Sequence, residues 1–284
     1  MATQNRITSS ATVRGESAYI YAFKARAKNH HCLGHGTMSV DFAQIEALRR
    51  QYSKEKKPIT YLPIFVKATG LAVQKTPEAN AILFKKLFGY RIVQFEQVDV
   101  NLPITRKVDG RLVTFIGTIR NAPKKTLSEI QDELTHLQRC PPEESFAIQR
   151  IQKFSKMPLW LSKLIHWRMT TSPQFYIDNV GTCGLTLIEG DWFDQFFPIA
   201  PTSIVMCPGG VKSEPVVRNN QIVVGRVLKV SMMGDNYVIS GLIGAKVAKE
   251  WKDLIETGSF IRAELEPSSA PVDVRAKAAV AVDV

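Results

Sequence analysis

The chain has 284 residues, 45% of them hydrophobic, which is enough to bury a large core as one large domain or two smaller ones. No apolar run approaches the roughly 20 residues that a transmembrane helix needs, and the N-terminus lacks an apolar signal segment, so we expect a cytoplasmic protein without a membrane span. The net charge of +11 favours acidic partners, but the basic residues are scattered and match no nucleic-acid-binding motif. Nucleic-acid or membrane-surface binding is therefore a minor alternative.

The cysteines and histidines do not predict a metal site. The four cysteines are Cys32, Cys140, Cys183 and Cys207. They are widely spaced and form no Cys-x-x-Cys pair, which indicates reduced thiols rather than zinc ligands or disulfides. His30, His31 and His35 lie close together, but no carboxylate shares a regular spacing with them. We interpret them as surface or interface histidines.

The first elements follow from local patterns. Residues 1–17 are polar and predict a flexible arm, followed by a short basic helix and a domain that extends to residue 265. Alternation predicts a strand over residues 37–41, and Asp41 is a plausible N-cap for a helix that ends near Tyr52. Pro63 near a first turn and apolar residues at helical spacing predict a helix over residues 61–76.

The rest of the chain continues as mixed α and β structure. A capping box at Thr126 and Glu129 begins a helix that ends before Cys140. The other predicted strands cover residues 91–100, 112–117, 203–206 and 227–232; the other helices cover 146–156, 159–168 and a segment from Gly241 to Gly258. Trp160, Leu164 and Trp167 favour a core stripe over an acyl or partner groove. Residues 266–284 predict a flexible tail.

Three stretches resemble the catalytic domain of the 2-oxoacid dehydrogenase acyltransferases, which is related in fold to chloramphenicol acetyltransferase. Residues 62–81 resemble the family's helix and the Pro-x-x-Asn-Ala turn after it. Residues 175–181, Phe-Tyr-Ile-Asp-Asn-Val-Gly, resemble a family strand Phe-Thr-Ile-Ser-Asn-Leu-Gly, whose Ser hydrogen-bonds the oxyanion. Residues 235–241, Asp-Asn-Tyr-Val-Ile-Ser-Gly, resemble the turn Asp-His-Arg-x-x-Asp/Asn-Gly, whose His is the general base.

The resemblance implies an α/β fold, a chloramphenicol-acetyltransferase-like sandwich with a mixed sheet flanked by helices. It also implies a homotrimer or a larger assembly with active sites between subunits, and coenzyme A or acyl-coenzyme A as a possible ligand. An acyl carrier or a dehydrogenase complex is a possible partner. The sequence contains no Asp-Lys-Ala lipoylation turn, so we expect no lipoyl group on this chain.

Three positions depart from the family pattern. Asn236 replaces the histidine base, and an amide cannot act as a base near neutral pH. Asp178 replaces the oxyanion-donating serine, and a carboxylate would repel a developing oxyanion. Ser240 replaces the Asp or Asn that helps to fix the turn. Conventional acyl transfer should therefore be very slow.

Two interpretations follow from these departures. In the first, the chain has lost conventional acyl transfer and serves as a structural, scaffolding or ligand-binding oligomer. In the second, the catalytic residues have moved: Asp178 acts as a base, or His31 or His35 reaches Asp178 of a neighbouring subunit, close to Asn236. Asn179, Tyr237 and Ser240 are then candidate substrate-binding residues. Alternatively, Asn236 stabilises the turn, Asp178 pairs with a basic residue, and Ser240 caps the last long helix.

Overall fold

The computed structural model describes residues 32–108, 111–141, 144, 148–149, 159–188 and 193–266. The predicted arm at 1–17, the basic helix after it, most of the predicted helix at 146–156 and nearly all of the predicted tail lie outside the described residues. His30 and His31 also lie outside them. Within the described residues, no helix is both long enough and apolar enough to cross a membrane.

Eight strands and seven α-helices are described. The strands are β1 (Leu33–Asp41), β2 (Ala81–Lys85), β3 (Tyr90–Gln94), β4 (Val100–Val108), β5 (Arg111–Ile119), β6 (Cys183–Leu185), β7 (Ile204–Arg218) and β8 (Gln221–Asp235). The helices are α1 (Ala43–Glu55), α2 (Tyr61–Gln74), α3 (Leu127–Arg139), α4 (Leu159–Thr171), α5 (Pro173–Asn179), α6 (Gly241–Thr257) and α7 (Ser259–Leu265).

The main sheet is mixed. Its strand order is β1-β8-β7-β6-β4-β5, with parallel pairing of β6 to both β4 and β7 and antiparallel pairing elsewhere. The β7–β8 hairpin turns at Asn219 and Asn220, which both have positive φ, as the two-residue turn of a twisted hairpin requires. β8 then runs back along the sheet and ends at Asp235, opposite the start of β1.

One face of the sheet packs on helices to form the main core. α2 is buried on almost every side because its residues are nearly all apolar, and it contacts α3 and α6. Phe65 of α2 stacks on Trp251 of α6 with ring centroids 6.0 Å apart, and the Trp251 indole donates to the Thr69 hydroxyl at 3.1 Å. Lys67, also on α2, is buried and donates to the carbonyls of Pro123 and Lys125; burial lowers the pKa of its ammonium.

β2 and β3 form a separate two-stranded sheet beside the main one. Ile82 and Phe84 on β2 pack with Tyr176 and Val180 in a second, smaller core. The rings of Phe84 and Tyr176 meet edge to face, with centroids 5.5 Å apart. This small core connects the β2–β3 hairpin to α5.

Most of the predicted elements are confirmed. The strand at residues 37–41 lies within β1, the helix at 61–76 is α2, and the strand at 227–232 lies within β8. The capping box of Thr126 and Glu129 is present at the start of α3. Gly258 ends α6 with a left-handed φ of 61°. These elements were predictable because their signals are local.

Four predictions about local structure are wrong. Residues 175–181 do not form a strand; most of them belong to α5, because the Ser172 hydroxyl accepts from the Phe175 N–H and Pro173 occupies the first turn. α1 continues past Tyr52 to Glu55, and its N-cap is Phe42, since the Asp41 carboxylate instead accepts from the Ala43 N–H in a local turn.

The remaining two corrections concern a strand and a helix face. The predicted strand at residues 91–100 is split between β3 and β4. On α4, Leu164 is 49% exposed and Trp167 is 59% exposed, so these two side chains are not core residues. The side chain of Trp160 lies outside the described set.

Candidate functional site

The corner between β8 and α6 is organised by a buried carboxylate. Asp235 is fully buried, and its Oδ1 accepts from the backbone N–H groups of Tyr237 at 3.0 Å and Cys32 at 3.3 Å. Its backbone carbonyl accepts from the N–H groups of Val238 and Ile239, both at 2.9 Å. Asp235 therefore closes the turn and ties it to the chain just before β1.

Asn236 lies at the exposed tip of this corner. Its backbone N–H donates to the Cys32 carbonyl at 2.7 Å. Its side-chain amide lies over Gly34, since a Cβ added to Gly34 would stand 2.9 Å from Asn236 Nδ2. The amide therefore lies on the helix-facing side of β1.

A cavity of about 330 Å³ adjoins Asn236 between β1 and the start of α6. Its lining combines small and apolar residues with a few neutral polar groups: Gly34, His35, Gly36, Thr37, Met38, Met232, Gly234, Asn236, Ile239, Ser240, Gly241, Gly244, Ala245 and Ala248. Among the residues that the structure describes, this lining includes no carboxylate, amine or thiol, and His35 is its one ionisable residue.

Ser240 and Tyr237 take different positions at this corner. The Ser240 hydroxyl accepts from the Ile243 N–H at 3.4 Å as the N-cap of α6. This confirms the alternative prediction that Ser240 caps the last long helix. Tyr237 is 62% exposed, and its backbone N–H is the group bonded to Asp235. The Ser240 side chain is thus used in holding the helix, whereas the Tyr237 side chain extends outwards.

The ring of His35 faces away from Asn236. Side chains alternate across a strand, so His35 lies on the face of β1 opposite Gly34, over which the Asn236 amide packs. The His35 Nε2 lies 3.1 Å from the Pro198 carbonyl, and the ring meets Phe197 edge to face at 5.4 Å. Because a carbonyl only accepts, Nε2 must carry the proton in this contact. His35 is thus at the cavity rim with its ring engaged elsewhere.

Asp178 and Asn179 lie near the C-terminus of α5. The exposed carboxylate of Asp178 accepts from Gln174 Nε2 at 2.8 Å, one helical turn earlier. The Asn179 side chain donates to the Phe175 carbonyl, also one turn earlier. Both side chains therefore make local contacts within α5, and neither contact involves the cavity next to Asn236.

An ion pair that the sequence did not reveal holds the end of α5. Arg120 Nη1 donates to Asp99 Oδ2 at 2.7 Å and to the Ile177 carbonyl at 2.6 Å, and Nη2 donates to the Asp178 carbonyl at 3.0 Å. The Asp99 side chain is only 5% exposed. Its other oxygen accepts from the Asn121 N–H at 2.8 Å. The contacts of Arg120 with α5 have no local signal, because the residues that make them are distant in sequence.

The sheet order separates the two candidate catalytic positions, Asp178 and Asn236, within one chain. Within one chain, β7 lies between β8, which ends beside Asn236, and β6, which follows Asp178. The Asn236 side chain lies over Gly34 of β1, whereas the Asp178 side chain contacts Gln174 of α5. A single subunit therefore does not join Asp178 and Asn236 in one hydrogen-bonded site.

The sequence model of the 2-oxoacid dehydrogenases acyltransferase (catalytic domain) matches residues 25–153 and 165–261, well over half of the chain. The chain belongs to this family. Among curated relatives, the acetyltransferase component of the pyruvate dehydrogenase complex of Bacillus subtilis is 24% identical over 247 residues, covering 85% of this chain and 49% of the relative. A lipoamide acyltransferase component of the branched-chain alpha-keto acid dehydrogenase complex from Caenorhabditis elegans is 22% identical, covering 76% and 42%.

Solved structures agree on the fold. The cubic core of the pyruvate dehydrogenase multienzyme complex matches with a TM-score of 0.67 and 18% identity, covering 92% of this chain and 96% of that one. A probable dihydrolipoamide acetyltransferase from Listeria monocytogenes matches with a TM-score of 0.61 and 17% identity, covering 87% and 94%. The predicted acyltransferase-like α/β sandwich with a mixed sheet is confirmed. This chain spans about half the length of the curated relatives it matches.

Family membership places the departures in a known catalytic domain. The turn that resembles the family's catalytic turn is the β8–α6 corner, where Asn236 stands at the histidine position. The segment that resembles the oxyanion strand contains Asp178, but here it forms α5. Among the described residues, no group of three or more His, Cys, Asp or Glu is placed to hold a metal ion.

The buried thiols are poor nucleophiles. Burial raises the pKa of the Cys207 thiol to about 12 and raises that of Cys183 still further. Nucleophilic chemistry at a cysteine requires the thiolate. Cys32 is the exposed cysteine among the described residues, and its backbone rather than its thiol contacts Asp235 and Asn236.

Proposed function

We propose that this chain is an acyltransferase-fold protein that has lost conventional histidine-dependent acyl transfer and serves as a ligand-binding or scaffolding oligomer. The observation that carries the proposal is the composition of the cavity beside Asn236. The general base of the family pattern is an amide here, and the lining supplies no other base apart from His35. The position of its ring, on the face of β1 opposite Gly34 and against Phe197, argues against that role.

The loss of rate follows from the chemistry of the two altered positions. A positioned general base contributes roughly a hundredfold to ten-thousandfold in rate. An oxyanion-hole donor contributes roughly a further hundredfold to thousandfold. The Asp178 carboxylate accepts a hydrogen bond from Gln174 and has no proton to donate when ionised. The side chains at positions 178 and 236 therefore supply neither contribution.

The cavity can nevertheless take a ligand. A volume of about 330 Å³ falls within the range for small-molecule sites, and its small and apolar lining suits the arm of a thioester more than a charged group. Coenzyme A or an acyl-coenzyme A is the ligand class that we propose, because the family transfers acyl groups between thiols. The +11 charge of the chain would favour the coenzyme's phosphates.

Assembly forms part of the same proposal. We infer a homotrimer or a larger assembly, by analogy with the family, and a cytoplasmic location. An acyl carrier or a dehydrogenase complex could then supply acyl groups from another chain, since no lipoylation turn is found in this sequence. Light scattering of the purified chain measures the assembly directly. A monomer at micromolar concentration would overturn this part.

The experiment for the ligand and the chemistry uses one sample. Calorimetry with coenzyme A and acetyl-coenzyme A measures binding, and a thiol-release assay measures turnover. We expect binding with turnover near the uncatalysed rate. Turnover that Asp178→Ala abolishes would instead establish the relocated site, with His31 or His35 as further candidates for the base. Absence of both binding and turnover would leave a scaffold without a thioester ligand.

A gain-of-function variant tests whether the two altered positions account for a low rate of acyl transfer. Asn236→His and Asp178→Ser each introduce the residue that the family pattern has at that position. If the missing groups account for the low rate, the double variant should release thiol roughly a hundredfold or more faster than the parent. Tyr237→His places an imidazole on the neighbouring, exposed residue and should give no gain. Equal rates for both variants would contradict the proposal.

A further inference from the structure

The β2–β3 hairpin ends in an exposed apolar tip. Leu87 and Phe88 are each 89% exposed, at the turn that the Lys86 N–H closes on the Gly89 carbonyl at 2.9 Å. Gly89 has a φ of 86°, which is a conformation that glycine adopts without strain. Tyr90 is 59% exposed just beyond the turn. Contiguous exposed apolar side chains of this size are a common feature of interaction sites.

The tip is flanked along the chain by cations and by no acidic residue. Lys85, Lys86 and Arg91 are all exposed and flank Leu87 and Phe88 on both strands. No Asp or Glu occurs between Glu78 and Glu96. Arg91 Nη2 donates to the Thr171 carbonyl at 3.5 Å, which is a neutral acceptor. The tip therefore presents a positive field around an apolar apex.

The hairpin geometry separates these two features in depth. Lys85 pairs with Tyr90, about two residues before the apex. At roughly 3.3 Å per residue in a strand, this places the pair about 6 to 7 Å behind Leu87 and Phe88. An interfacial amphipathic helix buries its apolar face about 5 to 10 Å into the headgroup boundary, a depth similar to this spacing. The spacing thus allows the apex to enter the lipid while Lys85 and Arg91 remain at the phosphates.

The adjoining helix has the same chemical character. α4 packs against β2 and carries exposed Leu164 and Trp167 beside exposed Lys163 and Arg168. Residues 159–177 contain no Asp or Glu. Tryptophan and tyrosine favour the level of the lipid headgroups, and lysine and arginine favour anionic lipids. A convex tip supported by such a helix fits the planar surface of a bilayer better than it fits a groove in a protein.

We propose that the β2–β3 tip is a docking site for an anionic lipid bilayer, with Leu87 and Phe88 inserted and the cations at the headgroups. This proposal is independent of the ligand and the chemistry of the Asn236 cavity. It involves peripheral attachment through one turn.

The test is cosedimentation of the full chain with vesicles of phosphatidylcholine, with and without phosphatidylglycerol. We expect binding to the anionic vesicles only, weakening as salt rises, since exposed charges are screened. Leu87→Ser with Phe88→Ser should weaken binding about tenfold or more. Each of Lys85→Ser and Lys86→Ser should weaken it about fivefold, the factor expected for one cation near the surface.

A matched control comes from the other long hairpin. Val217 and Ile222 form a cross-strand pair and are 72% and 79% exposed. Val217→Ser with Ile222→Ser removes the same kind of exposed apolar pair and should leave vesicle binding unchanged. Failure of the parent chain to bind anionic vesicles at low salt overturns the proposal, as does equal binding by the tip and control variants.

A second measurement separates lipid from a second copy of the chain. Light scattering without vesicles reports whether the tip variant changes the mass of the assembly. Because its side chains are 89% exposed, thermal unfolding of the variant should match that of the parent. A loss of assembly in the tip variant, together with no binding of the parent to vesicles, would assign the tip to a subunit contact and overturn the lipid proposal.

Discussion

Replacing Arg120 by methionine should destabilise the protein, because it leaves the buried Asp99 carboxylate without its ion-pair partner. The Asp99 side chain is 5% exposed and receives the Arg120 guanidinium at 2.7 Å. Breaking a fully buried ion pair costs about 3 to 5 kcal/mol, because the remaining charge is left without its partner. Here the cost should be lower. Arg120 is 42% exposed, so water can enter, and the Asn121 N–H still serves the other carboxylate oxygen.

The same substitution removes two helix-capping hydrogen bonds. The guanidinium also donates to the carbonyls of Ile177 and Asp178 in the last turn of α5. Solvent can replace part of this contribution, so each lost bond adds about 0.5 to 1 kcal/mol. Together with about 2 kcal/mol from Asp99, we expect Arg120→Met to lower the free energy of unfolding by roughly 3 kcal/mol.

Chemical denaturation at a fixed protein concentration measures this difference from the midpoint and slope. Arg218→Met is a matched control, since Arg218 pairs with Asp41 while both side chains are nearly half exposed. Such surface pairs contribute about 0 to 1 kcal/mol. If the two variants lose the same stability, the reasoning about the buried carboxylate is refuted. Asp99→Asn combined with Arg120→Met should cost less than the sum of the single changes.

Two further predictions concern helix ends. Gly258→Ala should destabilise the protein by roughly 2 to 3 kcal/mol, because φ is 61° and a new Cβ would stand 2.2 Å from Leu48 Cδ1. At the other end of α6, the Cβ of Gly241→Ala meets nothing within 4 Å, so this control should leave stability unchanged. Thermal unfolding compares the two variants. The Thr126 N–H and hydroxyl lower the pKa of Glu129. The ionised Glu129 carboxylate therefore contributes stability that is fully present above its unfolded-state pKa and is lost as pH falls through its folded-state pKa. Glu129→Gln should make the free energy of unfolding less sensitive to acid.

Local signals predicted most of the helices because each signal is complete within a few residues. Pro63 and the apolar spacing define α2, and the capping box at Thr126 defines the start of α3. The same kind of signal was present at α5, where Ser172 and Pro173 begin the helix. There the resemblance to a family strand suggested the wrong element. The aromatic and β-branched residues after Pro173 supported that error, since they favour strands.

The candidate site was only partly predictable. The sequence places Asn236 and Ser240 on one turn, and the structure keeps them at the edge of one cavity. The pairing of Asp99 with Arg120 follows from the β4–β5 hairpin, which puts the residues at its two open ends opposite each other. The contacts of Arg120 with α5 are tertiary, and no local pattern encodes them. The orientation of His35 was predictable in principle. Once Gly34 and His35 are assigned to the same strand, alternation puts them on opposite faces.

The polar groups of the β8–α6 corner are largely engaged in holding the fold. The Asp235 carboxylate closes the turn, and the Ser240 hydroxyl caps α6. Asn236 differs, because it bonds the Cys32 carbonyl through its backbone N–H, which every residue except proline possesses. Its side chain is exposed above Gly34. Replacing this amide with an imidazole should therefore change the chemistry of the corner while leaving its architecture in place, so that the rate of Asn236→His reports on the missing base rather than on misfolding.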